Sequence, residues 1–421
     1  MRISTLHIFN LANNNISEAS RAIVKTQEQL STGKKVITAA DDPVAATRIQ
    51  QLTNTISVID QYTKNITLAE NNLSLEETTL RSVNNLVQRI SELAVQAGNT
   101  ASLSETEYSA LASEVDARLD QLLDLTNTRN ANGDYIFSGY KSESPAFVGD
   151  NRNGFSFVGD EGHINIKVDN NTTVQASDSG KGVFVDIPSA THTISTSANP
   201  NNRSNPPVSI SVGNIVDQEV YDDFYPEDII ITFNEDTDVI PAAKNFTVTE
   251  RSTGKIIEAN HNYVSGEELI YNGVSVRIVG DPASANGASG LGGDQLFIDS
   301  ANTQDILTTL MRFKDVMNDF DGTSAARDRL EDVVANTLAT LSNTEEAISS
   351  TVTKIGARMN TLDSTKEQHV DVTLVSNSIL SDLQDLDYSE AASRLSSQTL
   401  VLQAAQASFL RISELNLFSR L

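Results

Sequence analysis

The stretch Asp41-Asp42-Pro43-Val44-Ala45-Ala46 opens a run that continues from Pro43 to Gly98 with no glycine or proline in between. A carboxylate ahead of a first helical turn accepts from its free N–H groups. Proline at the first helical position has no N–H to leave unpaired. One position of a seven-residue repeat then reads Leu52, Ile59, Ile66, Leu73, Leu80, Val87 and Ala94. The position three on reads Tyr62, Ala69, Val83, Ile90 and Ala97, with Thr55 and Glu76 as misses. A heptad seam held for so many turns predicts one long helix packed in coiled-coil fashion. At about 1.5 Å per residue such a helix spans roughly 80 Å, so other long helices must lie along it.

Both ends of the chain supply further helices. The first 40 residues carry Phe9, Ile16, Ile23 and Leu30 at heptad spacing, with Ala12, Ala19 and Thr26 three on. Gly33 is a C-cap candidate, followed by Lys34 and Lys35. After Gly98, Ser104 and Glu107 form a capping-box pattern, and Tyr108, Leu111, Val115, Leu119, Leu122 and Leu125 follow at helical spacing. The spacing predicts a helix returning antiparallel to the long one. Helix is expected again over Thr303–Phe320, and a second long helix from Ser324 to about Leu383, with Gly356 as its weak point. Asp387-Tyr388-Ser389-Glu390 caps a last helix whose heptad reads Leu395, Leu402 and Phe409, with Gln398, Ala405 and Ile412 three on. The two terminal heptads match in length and small-residue content, so they are expected to pair. Such a thin pair buries little area and is expected to order only against neighbouring subunits.

The middle has another texture. Eight of the nine prolines lie between Pro145 and Asp299. Strands are expected at Ile164–Val168, Val183–Ile187, Ile229–Phe233, Phe246–Thr249 and Val274–Val279. Asn272-Gly273 is a two-residue hairpin signal, and Ser252-Thr253-Gly254 is a second turn. Asn132-Gly133-Asp134 is a turn, and Tyr135-Ile136-Phe137 with the residues after Gly139 reads as a strand or hairpin.

The 421 residues include no Cys and no Trp. Disulfides, thiol catalysis and Cys–zinc sites are therefore excluded. No apolar run reaches transmembrane length, and the first residues lack the apolar core and cleavage site of a secretory signal. The net charge of −26 leaves no basic footprint for nucleic acid. Its distribution is uneven. Residues 1–40 carry 5 basic and 2 acidic side chains, whereas residues 145–300 carry 8 basic and 22 acidic ones. The ends can pack among copies of themselves, while the middle is solvated and mutually repelling.

Candidate chemistry is thin. The histidines His7, His163, His192, His261 and His369 show no metal-ligand spacing. Asp150-Asn151-Arg152-Asn153-Gly154 has its glycine one place early for a calcium loop and an arginine at a ligand position, so a polar turn is expected. The acidic residues Asp217, Glu219, Asp222, Asp223, Glu227 and Asp228 read most simply as a solvated loop. Gly287 to Gly293 lacks the spacing and the lysine of a phosphate loop. No catalytic, cofactor or metal residue is expected, and the protein is read as a non-enzyme.

Several phrases stand in the order of a known family. They are Met1-Arg2-Ile3-Ser4-Thr5, Gln29-Leu30-Ser31-Thr32-Gly33-Lys34-Lys35-Val36, Ala40-Asp41-Asp42-Pro43-Val44-Ala45-Ala46, Gln88–Asn99, Asn132–Tyr140, Gly356-Ala357-Arg358-Met359-Asn360, Ser381-Asp382-Leu383 and Asp387–Ala392. By these the chain resembles the flagellin superfamily, on the side of its hook–filament junction members, over roughly residues 1–148 and 303–421. Filament subunits of the superfamily usually read Lys-Asp-Asp-Ala-Ala-Gly where this chain has Asp41-Asp42-Pro43-Val44-Ala45-Ala46.

The resemblance implies an α+β fold: a long-helix coiled-coil rod built from both chain termini, with a mainly β domain inserted in the middle. Residues 1–42 and 389–421 would be terminal coiled-coil segments, disordered in the monomer. Residues 43–148 and 300–388 would form the rod domain, and 149–299 the insertion. The seam Phe9, Ile16, Ile23, Leu30, Leu395, Leu402, Phe409 and Ile412 would hold subunits together, and Asp41, Asp42 and Pro43 are the motif at the start of the long helix. The implied role is a flagellar adaptor between hook and filament, extracellular and exported by the flagellar type III route. The implied partners are copies of itself in a ring, the neighbouring junction protein, flagellin, and a cytoplasmic export chaperone on the C-terminal helix. A filament subunit and an exported surface protein whose β insertion binds a ligand are the alternatives.

Overall fold

The computed structural model describes residues 5–99, 103–150 and 154–418, with the side chains of residues 5, 6, 8, 288 and 412–418 outside the description. Seven helices are described: α1 (Thr5–Thr32), α2 (Pro43–Ala97), α3 (Glu105–Thr126), α4 (Gln218–Phe224), α5 (Ile306–Asn318), α6 (Ser324–Gln384) and α7 (Tyr388–Phe418). The strands are β1 (Phe147–Asp150), β2 (Gly154–Phe157), β3 (Asn165–Lys167), β4 (Thr173–Gln175), β5 (Ile187–Ala198), β6 (Ser209–Ile210), β7 (Asn214–Ile215), β8 (Ile229–Phe233), β9 (Asn245–Glu250), β10 (Ile256–Asn262), β11 (Glu268–Tyr271), β12 (Val274–Val279) and β13 (Gln295–Gln304). The chain divides into two compact units. One holds residues 1–66, 168–170 and 363–421, and the other 67–167 and 171–362.

In the second unit the heptad of α2 becomes core. Leu73, Leu80, Val87 and Ala94 are buried, as are Ala69, Val83, Ile90 and Ala97 three on. Helix α3 begins as the capping pattern requires: the Glu107 carboxylate accepts from the Ser104 N–H and hydroxyl, each at 2.7 Å. Its apolar face packs against α5, and Tyr108 meets Phe320 with ring centroids 4.4 Å apart. Arg89 of α2 and Glu114 of α3 pair at 2.9 Å on the surface. Along α6, Val334, Leu341, Ile348, Ile355 and Leu362 recur at heptad spacing, and all are buried.

Gly356 lies within α6, and a Cβ there would meet nothing within 4 Å. Glycine in a helix interior costs about 1 kcal/mol relative to alanine, chiefly through the freedom of the unfolded chain. The expected result is that Gly356→Ala raises stability by roughly that amount, read as a higher denaturant midpoint at unchanged slope.

The inserted β region is antiparallel. Its five-stranded sheet has the order β10-β9-β8-β13-β5, and a second sheet has the order β11-β12-β6 with β7 also on β12. Their shared core includes Ile194, Phe233, Phe246, Val276, Ile278 and Leu296. Asn272 and Gly273 join β11 to β12 with positive φ at both (47° and 79°), as a tight hairpin with this twist demands. A Cβ on Gly273 would sit 2.3 Å from the Asp217 carbonyl oxygen, so Gly273→Ala is expected to cost more than about 1 kcal/mol in a thermal melt.

Several sequence-based expectations are corrected. Val183–Ile187 is not a strand: Lys181–Val185 is a π-helical turn, and β5 starts at Ile187. Tyr135–Phe137 forms no strand; instead a tight turn at 130–134 is closed by an antiparallel bridge between Arg129 and Tyr135. The acidic stretch is not a simple solvated loop. Asp217 caps α4 by accepting from Val220 N–H at 3.1 Å, and Tyr221 is buried beneath it. Of the polar turn expected at 150–154, residues 151–153 lie outside the described part.

Candidate assembly interface

The first unit is built around the pairing of α1 with α7. Gly33 ends α1 in the left-handed region, at φ 70°, and a Cβ there would stand 2.9 Å from the Tyr388 hydroxyl. The chain then meets the α6–α7 turn backbone to backbone. Lys35 N–H donates to the Gln384 carbonyl at 2.6 Å, and Leu386 N–H donates to the Gly33 carbonyl at 3.0 Å. Asp387 caps α7, accepting from Ser389 and Glu390 N–H at 2.9 and 3.1 Å.

Each residue of the Asp41-Asp42-Pro43 motif has a separate task. Asp42 accepts from Val44 and Ala45 N–H at 3.0 and 2.9 Å and so caps α2, with Pro43 as its first residue. Asp41 faces backwards. It accepts from Thr38 and Ile37 N–H, and Lys25 of α1 pairs with it at 2.6 Å. That ammonium, with the Thr38 N–H, holds the Asp41 carboxyl well below the usual carboxylate range.

The seam residues fall along the α1–α7 pair. Phe9 and Phe409 meet with ring centroids 5.0 Å apart. Ile16, Ile23, Leu30, Leu395 and Leu402 are half-buried, and the side chain of Ile412 lies outside the described residues. The most buried side chains of α1 are polar. Thr26 reaches Gln398 Oε1 at 2.8 Å, and Gln29 donates to the Lys35 carbonyl at 2.7 Å and accepts from Arg394 at 3.3 Å.

Several apolar side chains of the pair lie outside the seam. Leu11, Val24, Leu400, Val401 and Leu410 are exposed, Leu400 by 68%. Leu30, Leu395 and Leu400 border an open groove along α7. In this unit the buried apolar residues are Ala45, Ile59, Ile66, Val168, Leu386 and Ala391, among the described residues. Two slender helices cannot enclose their own apolar surface, and this unit does not.

The other candidate groups are structurally engaged. His192 pairs with Asp222 at 2.9 Å and stacks on Tyr225. His261 pairs with Glu258 at 2.8 Å. His369 is buried against Tyr62 with Nε2 2.8 Å from the Val168 carbonyl oxygen. Glu227 accepts from Ser252 N–H, and Asp228 from Ser300 N–H.

Sequence reading missed one constellation in the second unit. Glu76, a mere interruption in the heptad, is 1% exposed. Its Oε1 accepts from Asp178 N–H at 3.2 Å, and Asp178 forms a two-pronged pair with Arg358 at 2.5 and 3.0 Å. Burial first, and the Asp178 carboxylate second, push the Glu76 carboxyl well above the ordinary range. The available signal was a carboxylate at a core position of an otherwise apolar seam.

Residues 3–142 match the family model described as the bacterial flagellin N-terminal helical region. Over more of the chain the similarity is to junction proteins. Flagellar hook-associated protein 3 of Escherichia coli (strain K12) is 34% identical over 189 residues, 45% of this chain and 58% of that protein. The crystal structure of flagellar hook-associated protein 3 from Legionella pneumophila is similar with TM-score 0.51 and 27% identity, covering 80% of this chain and 98% of that one. Flagellin 1 of Proteus mirabilis is 31% identical over 180 residues, 42% of this chain and 47% of that protein. The chain thus spans little more than half the length of the curated junction relative it matches.

Proposed function

We propose that this protein is a structural subunit of the bacterial flagellum, an adaptor that joins the hook to the flagellin filament. The observation that carries the reading is the set of apolar side chains left exposed on the α1–α7 pair outside its seam, at Leu11, Val24, Leu400, Val401 and Leu410. Copies of the chain packed in a ring cover these side chains, and the terminal helices take their order from this packing. The likeness to hook-associated protein 3 supports the choice of the junction. On this reading the partners are the neighbouring junction protein on the hook side, flagellin on the filament side, and an export chaperone that covers α7 before secretion. The protein is extracellular, leaves by the flagellar type III route, and performs no catalysis.

A second reading, the filament subunit, is favoured by the likeness to flagellin 1. Sedimentation of the purified chain at high concentration in a salting-out buffer, with electron microscopy of the pellet, separates the two. A junction adaptor needs an existing lattice end and is expected to stay soluble. Long self-assembled filaments would establish the filament reading instead.

A further inference from the structure

The last turns of α6, which belong to the first unit, have reversed polarity. Their buried positions, at heptad spacing from Leu362, carry His369 and Ser376. Their exposed positions carry apolar side chains instead: Val370, Val372, Leu374, Val375 and Ile379 are exposed by 39% to 68%. At 3.6 residues per turn these fall on both flanks of the buried seam, Val370 and Leu374 on one side and Val372, Val375 and Ile379 on the other. Large apolar side chains exposed so densely on one helix mark a contact surface.

The charges around this surface select what covers it. Asp363, Glu367, Asp371, Asp382 and Asp385 are all exposed, and Lys366 is the one lysine or arginine between positions 363 and 385. Glu367, Asp371 and Leu374, three and four positions apart, share a helix face. An apolar side chain next to an acidic frame fits an apolar side chain next to a cation. Helix α1 carries that combination: Val24 is exposed, and so is Arg21 one turn before it. The other α1 cation, Lys25, is already paired with Asp41. Within one chain α1 is held on α7, through Thr26 to Gln398 and Arg394 to Gln29, and Val24 and Leu374 both stay exposed.

We propose that this stretch of α6 receives α1 of a second copy of the chain, with the partner's Val24 against Leu374 and the partner's Arg21 toward Asp371 and Glu367. The inference rests on the reading of the chain as a subunit packed among its own copies, and it names a surface that such packing uses outside the terminal pair.

The test uses a chain that has no Cys of its own. Copies carrying Val24→Cys and copies carrying Leu374→Cys are expressed together in flagellated cells, and isolated flagella are mildly oxidised. A disulfide-linked dimer is expected on a non-reducing gel from the mixture and from neither variant alone. Asp371→Arg is expected to lower incorporation about tenfold with an unchanged circular dichroism spectrum, Arg21→Asp to do the same, and both changes in one chain to restore most of it. The charge swap decides the question if the cysteine variants do not incorporate. Incorporation of both cysteine variants without the mixed dimer overturns the inference and leaves the adaptor reading standing. So does full incorporation of Asp371→Arg, or a loss that the swap does not restore. Absence of the unsubstituted chain from isolated flagella overturns the adaptor reading, and this inference with it.

Discussion

Replacing Arg358 by alanine is expected to lower the stability of the second unit by about 3–5 kcal/mol, because it strands the Asp178 carboxylate in the interior. Arg358 and Asp178 are 17% and 13% exposed at the side chain, and without Arg358 the carboxylate is left with the neutral donor Gln175, whose Nε2 donates to it at 2.7 Å. Arg358→Lys should recover only part of the loss, since an ammonium cannot reproduce the planar fork. The neighbouring Glu76→Gln change is expected to behave in the opposite way. The folded chain holds Glu76 protonated, while the unfolded chain releases that proton near the ordinary value of 4.5. Stability of the unsubstituted protein therefore falls as pH rises above that value, until the folded-state carboxyl itself ionises. Glutamine keeps the shape, accepts from Asp178 N–H and donates to its carboxylate, and has no proton to lose. Urea titrations between about pH 4 and pH 8, on the order of one unit apart, should show the two proteins equal at the acid end and the variant more stable at the alkaline end. Identical slopes would mean that Glu76 is ionised in the fold.

The second large effect is on assembly. Leu400 points away from the seam, so Leu400→Asp should change monomer stability by no more than about 0.5 kcal/mol. In the proposed ring the same carboxylate is buried against a neighbouring copy, and incorporation at filament bases is expected to be lost, with motility lost alongside. Leu402→Asp, in the half-buried seam, should disturb both the monomer and the assembly. The informative comparison is between the two, scored by labelling of isolated flagella. Normal incorporation of Leu400→Asp would confine the role of α7 to its pairing with α1.

Helices were readable because their signals are local. The Asp42-Pro43 start, the long heptad, the Ser104–Glu107 box and the Asp387 cap each act within a few residues of chain, and each is found where its pattern stands. The Asn272-Gly273 hairpin belongs with them, since positive φ at two adjacent positions is a demand only a few residue types meet. Strands β5 and β13 were not readable. Ile187–Ala198 and Gln295–Gln304 are rich in Ser, Thr, Asn and Gln, and their register is set by one another across about a hundred residues of sequence. Helix α4 was hidden in an acidic run because its one buried anchor, Tyr221, finds its partners Thr193 and Ser300 only in the folded sheet. The same holds for the buried polar groups. Nothing near Glu76 in the chain announces Asp178 or Arg358. Periodicity and capping are properties of the chain itself, and they specified the long helices and the thin apolar termini. Which carboxyl keeps its proton depends on desolvation and on distant partners, and those exist only once the chain has folded.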